Sequence, residues 1–159
     1  MRGYLNLPAE SLEALRGDGW LRTGDLGRMD ERGYVFLGDR RKHMIVSGGF
    51  NVYPIVVENA LAEHPAVREA AVVGVPHPEW GEAIVAAVSL FPGREASSEE
   101  LIAHCRQRVS KFAVPKHIEI VPSLPRGSTD KLNKREVQRL LVESGKLPWN
   151  TRRDDRESH

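Results

Sequence analysis

Apolar and polar positions change character along this chain. From Val67 to Val75, and again from Ala83 to Phe91, valine and alanine run almost without interruption, which predicts two buried strands. Pro76, Pro78 and Gly81 predict a loop between them. Helical spacing marks Val57, Ala60 and Leu61, with Pro54 suited to the first turn, so a helix is expected from Pro54 to about Glu63. Ser97-Ser98-Glu99-Glu100 resembles a capping box opening a helix to about Lys111, in which Leu101, Cys105 and Val109 recur at i, i+4 and i+8. That recurrence places Cys105 in the core. His117–Val121 alternates like a third strand, residues 122–130 form a loop, and a last helix runs from about Asn133 to Ser144, closed by Gly145. Residues 1–33 are weakly patterned. They suggest a short helix around Ala9–Leu15, and a hairpin turn at Asp30–Gly33 leading into a strand Tyr34–Leu37.

Charge and glycine then divide the chain. Asp39, Arg40, Arg41, Lys42 and His43 are followed by Ile45-Val46 and by Ser47-Gly48-Gly49, an exposed and permissive stretch that marks a boundary or hinge. Residues 43–145 read as a small α+β domain of about three strands and about three helices. Residues 1–39 look like the β-rich end of another unit, and the polar residues 146–159 read as a disordered tail.

Composition narrows the function. With 159 residues, 40% hydrophobic and 28% charged, the chain is an ordinary globular domain large enough for its own core. A net charge of +1 gives no electrostatic footprint for nucleic acid or an anionic membrane. Cys105 is the sole cysteine, so no internal disulfide forms, in keeping with a reducing compartment. No apolar run approaches the ~18–20 residues of a membrane span, and the N-terminus lacks a secretory pattern. A cytoplasmic location is expected. There is no internal repeat and no low-complexity segment.

Four blocks carry a resemblance. The first is Gly19-Trp20-Leu21-Arg22-Thr23-Gly24-Asp25-Leu26-Gly27, and the second runs from Gly38 through Asp39-Arg40-Arg41-Lys42 and Ser47-Gly48-Gly49-Phe50-Asn51-Val52-Tyr53-Pro54. The third is Gly74-Val75-Pro76-His77-Pro78-Glu79-Trp80-Gly81-Glu82. The fourth is Lys111-Phe112-Ala113-Val114-Pro115-Lys116, continued by Leu124-Pro125-Arg126-Gly127-Ser128-Thr129-Asp130-Lys131. In this order, over roughly residues 1–143, they resemble the C-terminal domain, plus the end of the N-terminal domain, of the adenylate-forming acyl-CoA synthetase superfamily. Ser-Gly-Gly-Phe-Asn-Val-Tyr-Pro is similar to the CoA-ligase branch more than to peptide-synthetase adenylation domains. The resemblance implies a small mobile lid domain that takes a different pose for each half-reaction, acyl-adenylate formation and then thioester formation with CoA. It implies ATP/AMP and CoA as cofactors, with Mg2+ accompanying ATP, and a fatty or other hydrophobic carboxylic acid as substrate.

Residue by residue, the resemblance implies the following roles. Asp25 would accept hydrogen bonds from the ATP ribose hydroxyls, as an acceptor-only carboxylate can; otherwise it is a turn-forming Asp after glycine. Arg40 would contact the ribose or phosphate region, since a guanidinium is always charged; otherwise it belongs to a solvated basic face. Lys42 would be the hinge, where a rotating backbone matters more than a reactive group. His43 departs from the acidic residue usual beside it, and no second ligand at workable spacing makes it a metal site. Ser47, Gly48 and Gly49 would line the pantetheine channel, or form a plain tight turn. Trp80 and Phe112 would flank the CoA nucleotide, or equally cap the core. Lys131 would be the catalytic lysine of adenylation, its ammonium stabilising charge that builds on oxygens as a carboxylate attacks the α-phosphorus.

Two departures stand out. Asp130 occupies a place where the family has glycine, which points to a positive-φ turn that Asp tolerates, and its carboxylate could pair with Lys131. Val56 stands where a glutamate is frequent. The phosphate loop, adenine contacts and acyl pocket of the family are not in this sequence, and Met1-Arg2-Gly3-Tyr4-Leu5-Asn6 resembles an internal stretch of longer members. The expectation is therefore a chain inactive alone, needing a missing N-terminal adenylation domain as partner, with residues 1–39 loose in isolation. The alternative is a stand-alone, non-catalytic module binding CoA or a partner.

Overall fold

The computed structural model describes residues 1–40 and 43–149, with Asp39 and Arg40 described by their backbone alone. The chain divides into two compact units, Met1–Lys42 and His43–His159.

In the first unit, helix α1 (Pro8–Ala14) starts with proline in its first turn. The Ser11 hydroxyl accepts the Tyr4 N–H at 2.8 Å and donates to the Leu7 carbonyl at 2.7 Å, closing that turn. Strands β1 (Asp25–Met29) and β2 (Val35–Arg40) pair antiparallel. The Asp30 carboxylate makes their turn by accepting the N–H groups of Arg32 and Tyr34, each at 3.0 Å, as an Asx turn does. Trp20, Met29, Val35 and Leu37 are all exposed. A two-stranded ribbon has no second layer to bury such side chains.

The second unit is a mixed sheet with helices on both faces. Its strands are β3 (Ile45–Ser47), β4 (Phe50–Val52), β5 (Val67–His77), β6 (Gly81–Leu90) and β7 (His117–Ile120). The order is β4-β3-β6-β5, with β7 parallel to β6. Helices α2 (Pro54–Ala62) and α3 (Ser98–Arg106) put Val57, Leu61, Leu101 and Cys105 against Val72, Ile84, Ala86 and Val88. Helix α4 (Lys134–Glu143) puts Val137 and Leu141 against Ala71, Val73, Val75, Ala83, Val85 and Ala87. Neighbouring residues of one strand point to opposite faces. Both faces are covered, so the β5 and β6 runs lack polar alternation. Ser97 and Asn133 cap α3 and α4, accepting the N–H groups of Glu100 and Glu136 at 3.1 and 3.2 Å.

Three details differ from the sequence reading. Besides the three predicted strands, the described residues contain β3 and β4, where a hinge stretch was expected; three residues are too few to show a period. Helix α3 stops at Arg106, and a 3-10 turn, Lys111–Ala113, follows. The polar tail does not begin at Lys146. Leu147 is 2% exposed, packed in the α4-side core. The Lys146 ammonium pairs with Glu119, and the Trp149 indole N–H donates to the Pro76 carbonyl at 3.1 Å. Burial of Leu147, packing of Trp149 and these polar contacts together oppose the chain entropy of the segment. Residues 150–159 of the expected tail lie outside the described residues. No helix among the described residues is long and apolar enough to cross a membrane.

Candidate functional site

The β3–β4 connection is a two-residue turn closed by the Ser47–Phe50 pair. Gly48 and Gly49 have φ of 57° and 84°, the left-handed pair that a type I′ hairpin requires and that favours glycine. The turn is tied to β6. Ser47 pairs with Gly81, and the Gly48 N–H donates to the Trp80 carbonyl at 3.0 Å. A side chain added at Gly48 would meet Trp80 at 3.7 Å, whereas one at Gly49 would meet nothing within 4 Å. Ser47 itself is buried.

Trp80 is held on several sides. Its ring stacks on His77 with centroids 4.1 Å apart and planes 7° from parallel, and the Lys116 ammonium lies 4.5 Å from its centroid. Trp149 meets His77 edge-on at 4.8 Å. Phe112 lies in the 3-10 turn and stacks on Phe50 at 4.6 Å and 9°. Both rings are exposed, Phe50 at 52% and Phe112 at 42%. The fold thus gathers Ser47, Gly48, Gly49 and Trp80 around one turn, and Phe50 links Phe112 to it. Trp80 packs against the core while Phe112 projects outward.

Glu82 is a residue that the sequence reading did not single out. Its carboxylate accepts the Val46 N–H at 2.8 Å, fixing β3 against β6. It fits there because Gly74 across the strand pair has no side chain: a Cβ on Gly74 would lie 2.7 Å from Glu82 Oε1 and 3.0 Å from Ile45 Cγ2. Glu58 was missed as well. It accepts the Val72 N–H at 2.8 Å and pairs with Lys134 at 2.8 Å, with only 13% of its side chain exposed. The signal in both cases was an acid within an apolar segment, which must find a partner when buried.

Lys131 is exposed and lies in a closed loop. The Gly127 N–H donates to the Lys131 carbonyl at 2.8 Å, the Asp130 N–H donates to the Gly127 carbonyl at 3.0 Å, and Arg126 bridges Leu132. Asp130 has φ of 58°, the turn its glycine-like position predicts. Its carboxylate faces Arg126 at 3.8 Å, and among the described residues the Lys131 ammonium has no ion-pair partner. Asp25, exposed, opens β1 and is the Cα partner of Arg40 at the end of β2, so the register sets the two predicted nucleotide residues opposite each other. Its N–H donates to Thr23 Oγ1 at 3.2 Å. The side chain of Arg40, and Lys42 altogether, lie outside the described residues. Val56 is exposed on α2.

Among the described residues, four titratable groups depart from ordinary values; on the exposed face of α4, hydrogen bonding between Glu136 and Arg139 lowers the first and raises the second. Burial pushes the Cys105 thiol up to about 11, partly opposed by the nearby Arg108 charge, so this cysteine is an inert core residue. Burial would also raise the carboxyl of Glu119, but hydrogen bonds and charge from Lys146 and His117 outweigh it and hold Glu119 below its usual value. Among the described residues no cluster of three His, Cys, Asp or Glu side chains is arranged to hold a metal ion.

A two-faced mixed sheet that carries a paired-glycine turn beside aromatic side chains, and a closed loop bearing Lys131, defines a small α+β domain. Residues 56–131 match the AMP-binding enzyme C-terminal domain family. The long-chain-fatty-acid–CoA ligase of Bacillus subtilis is 46% identical over 143 residues, covering 90% of this chain and 25% of the relative. The 2-succinylbenzoate–CoA ligase of Geobacillus kaustophilus is 44% identical over 140 residues, covering 88% of this chain and 28% of the relative. The crystal structure of MatB from Rhodopseudomonas palustris with ATP bound superposes with a TM-score of 0.83 at 35% identity, covering 90% of this chain and 28% of that one. This chain belongs to the adenylate-forming acyl-CoA synthetase superfamily and corresponds to its C-terminal portion. It spans about a quarter of the length of the curated relatives it matches.

Proposed function

We propose that this chain is the C-terminal part of an ATP-dependent acid–CoA ligase, working with an N-terminal adenylation domain and inactive without it. In adenylation, Lys131 enters the shared site and stabilises negative charge at the α-phosphate. Asp25 and Arg40 hold the ribose and phosphate region of ATP/AMP. After rotation about Lys42, the Ser47-Gly48-Gly49 turn lines the pantetheine channel, and Trp80 and Phe112 flank the CoA nucleotide. Mg2+ accompanying ATP would neutralise phosphate charge. The acid is fatty or otherwise hydrophobic, and the site of action is the cytoplasm.

One observation carries the reading. Lys131 is exposed and, among the described residues, its ammonium has no ion-pair partner although a carboxylate is its immediate neighbour; that carboxylate lies 3.8 Å from Arg126. The open side of Gly49 and the outward face of Phe112 supply room for a narrow thiol ligand and a flat base.

The test is ATP–pyrophosphate exchange. The chain alone should show none, and exchange should return when it is joined to the N-terminal portion of the Bacillus subtilis relative. In that fusion Lys131→Ala should lower exchange by about 10²–10³-fold, the usual cost of deleting one preorganised charge donor. Unchanged exchange would remove Lys131 from the mechanism. No exchange in the fusion, together with saturable CoA binding by the isolated chain, would replace the ligase reading with that of a binding module.

A further inference from the structure

We infer that Arg126 is the positioning residue for Lys131, a clamp that joins the lysine's loop to the central sheet and keeps the Asp130 carboxylate away from the lysine ammonium. The inference rests on the reading that Lys131 acts in adenylation. Arg126 donates through Nη2 to the Glu69 carboxylate on β5, 57 residues away, and through Nη1 to the Asp130 carbonyl at 2.8 Å. The same Nη1 lies 3.8 Å from Asp130 Oδ2. One planar cation therefore bonds an acid of the sheet and the backbone of the residue before Lys131, and lies beside that residue's largely exposed carboxylate. A guanidinium can do this because its donors project in fixed directions; a lysine at the same place is a single point charge.

The contacts divide into two effects. The first is geometric. Two backbone hydrogen bonds between Gly127, Asp130 and Lys131 close the tip of the loop. A third backbone bond, from the Asn133 N–H to the Pro125 carbonyl at 2.9 Å, closes the base of the loop, where Leu124 and Leu132 pack on the core; nearer its tip, Arg126 adds a side-chain tie to the sheet. Asp130 also has a left-handed backbone, a conformation that a non-glycine residue keeps only where its surroundings hold it. The second effect is electrostatic. Asp130 and Lys131 are adjacent, and without Arg126 the carboxylate loses its partner and is free to turn to the ammonium. Paired in that way, Lys131 would bring a neutralised charge to the phosphate.

Two measurements test the clamp. In the fusion with an N-terminal domain, Arg126→Lys should lower ATP–pyrophosphate exchange by about 10–100-fold, since a misplacement of about 1 Å costs up to about 10²-fold. The same variant should convert supplied acyl-adenylate and CoA to thioester within about twofold of wild type, because Lys131 is withdrawn in that half-reaction. In the isolated chain, hydrogen exchange at the Gly127 and Asp130 amides should quicken at least about tenfold, with the β5 and β6 amides unchanged. Wild-type exchange activity in Arg126→Lys, alongside its loss in Lys131→Ala, overturns the clamp and leaves the role of Lys131 standing. Equal losses in both half-reactions overturn it too, since they mark a merely structural arginine, as does unaltered protection of the Gly127 and Asp130 amides. If Lys131→Ala retains full activity, the adenylation reading falls and the inference with it, whatever the loop amides do.

Discussion

Gly74 is the position where the fold of the second unit and its glycine turn meet, and Gly74→Ala should be unusually costly for so small a change. The new methyl carbon would stand 2.7 Å from Glu82 Oε1 and 3.0 Å from Ile45 Cγ2. Ile45 is buried at the start of β3 and cannot move without disturbing the core. Glu82 can swing, but its carboxylate then releases the Val46 N–H that it holds at 2.8 Å. Overpacking costs about 1–3 kcal/mol, a lost hydrogen bond to a charged group about 1.5–3 kcal/mol, and the stiffer unfolded chain returns about 0.4–1 kcal/mol. The net expectation is a loss of about 3 kcal/mol, within roughly 2–5. Urea unfolding followed by circular dichroism and tryptophan fluorescence measures it. The Glu82→Ala background separates the two routes, because there no carboxylate remains to be displaced and only the Ile45 contact is left. Gly74→Ala should then cost at least about 1 kcal/mol less, a coupling of the size contacting residues show. A loss under about 0.5 kcal/mol in the wild-type background, or an identical loss in both backgrounds, would refute the reasoning.

Two further outcomes follow from the C-terminal packing. Leu147→Ala should destabilise the second unit by about 2–3 kcal/mol, the lower part of the range for buried leucines because the segment is near the chain end; a change near zero would show that residue 147 behaves as a tail after all. Glu119 is held below its ordinary value of 4.5 chiefly by Lys146 and His117, working against burial. A depressed carboxylate contributes stability above that value and loses it as pH falls through the folded pKa. Glu119→Gln should therefore be less stable than wild type at pH 7, with the gap closing below about pH 4. Urea midpoints across that range check it, and a gap independent of pH would count against the ion-pair account.

What could be read from the sequence was what depends on near neighbours. The valine-rich runs at 67–75 and 83–91 marked strands because both sheet faces are covered, by α2 and α3 on one side and α4 on the other. Ser97 and Asn133 marked helix starts because a cap acts over three residues. The positive φ of Asp130 was legible because the surrounding motif places glycine there. What was illegible depends on partners distant in sequence. The β3–β4 hairpin has strands of three residues each, below the length at which alternation can be seen, and the paired glycines look the same in a hinge as in a type I′ turn. Leu147 and Trp149 are isolated apolar residues at the head of a polar stretch, and only their packing on the α4-side core gives them a reason to be ordered. The same limit governs the candidate site. Lys131 was found through its local motif, yet the sequence offered Lys131 as the natural partner of Asp130, two adjacent opposite charges. The fold sets the Asp130 carboxylate 3.8 Å from Arg126, which Glu69 anchors from 57 residues away, and among the described residues the lysine has no ion-pair partner. Local chemistry identified the reactive group; the long-range contact decides whether its charge is available.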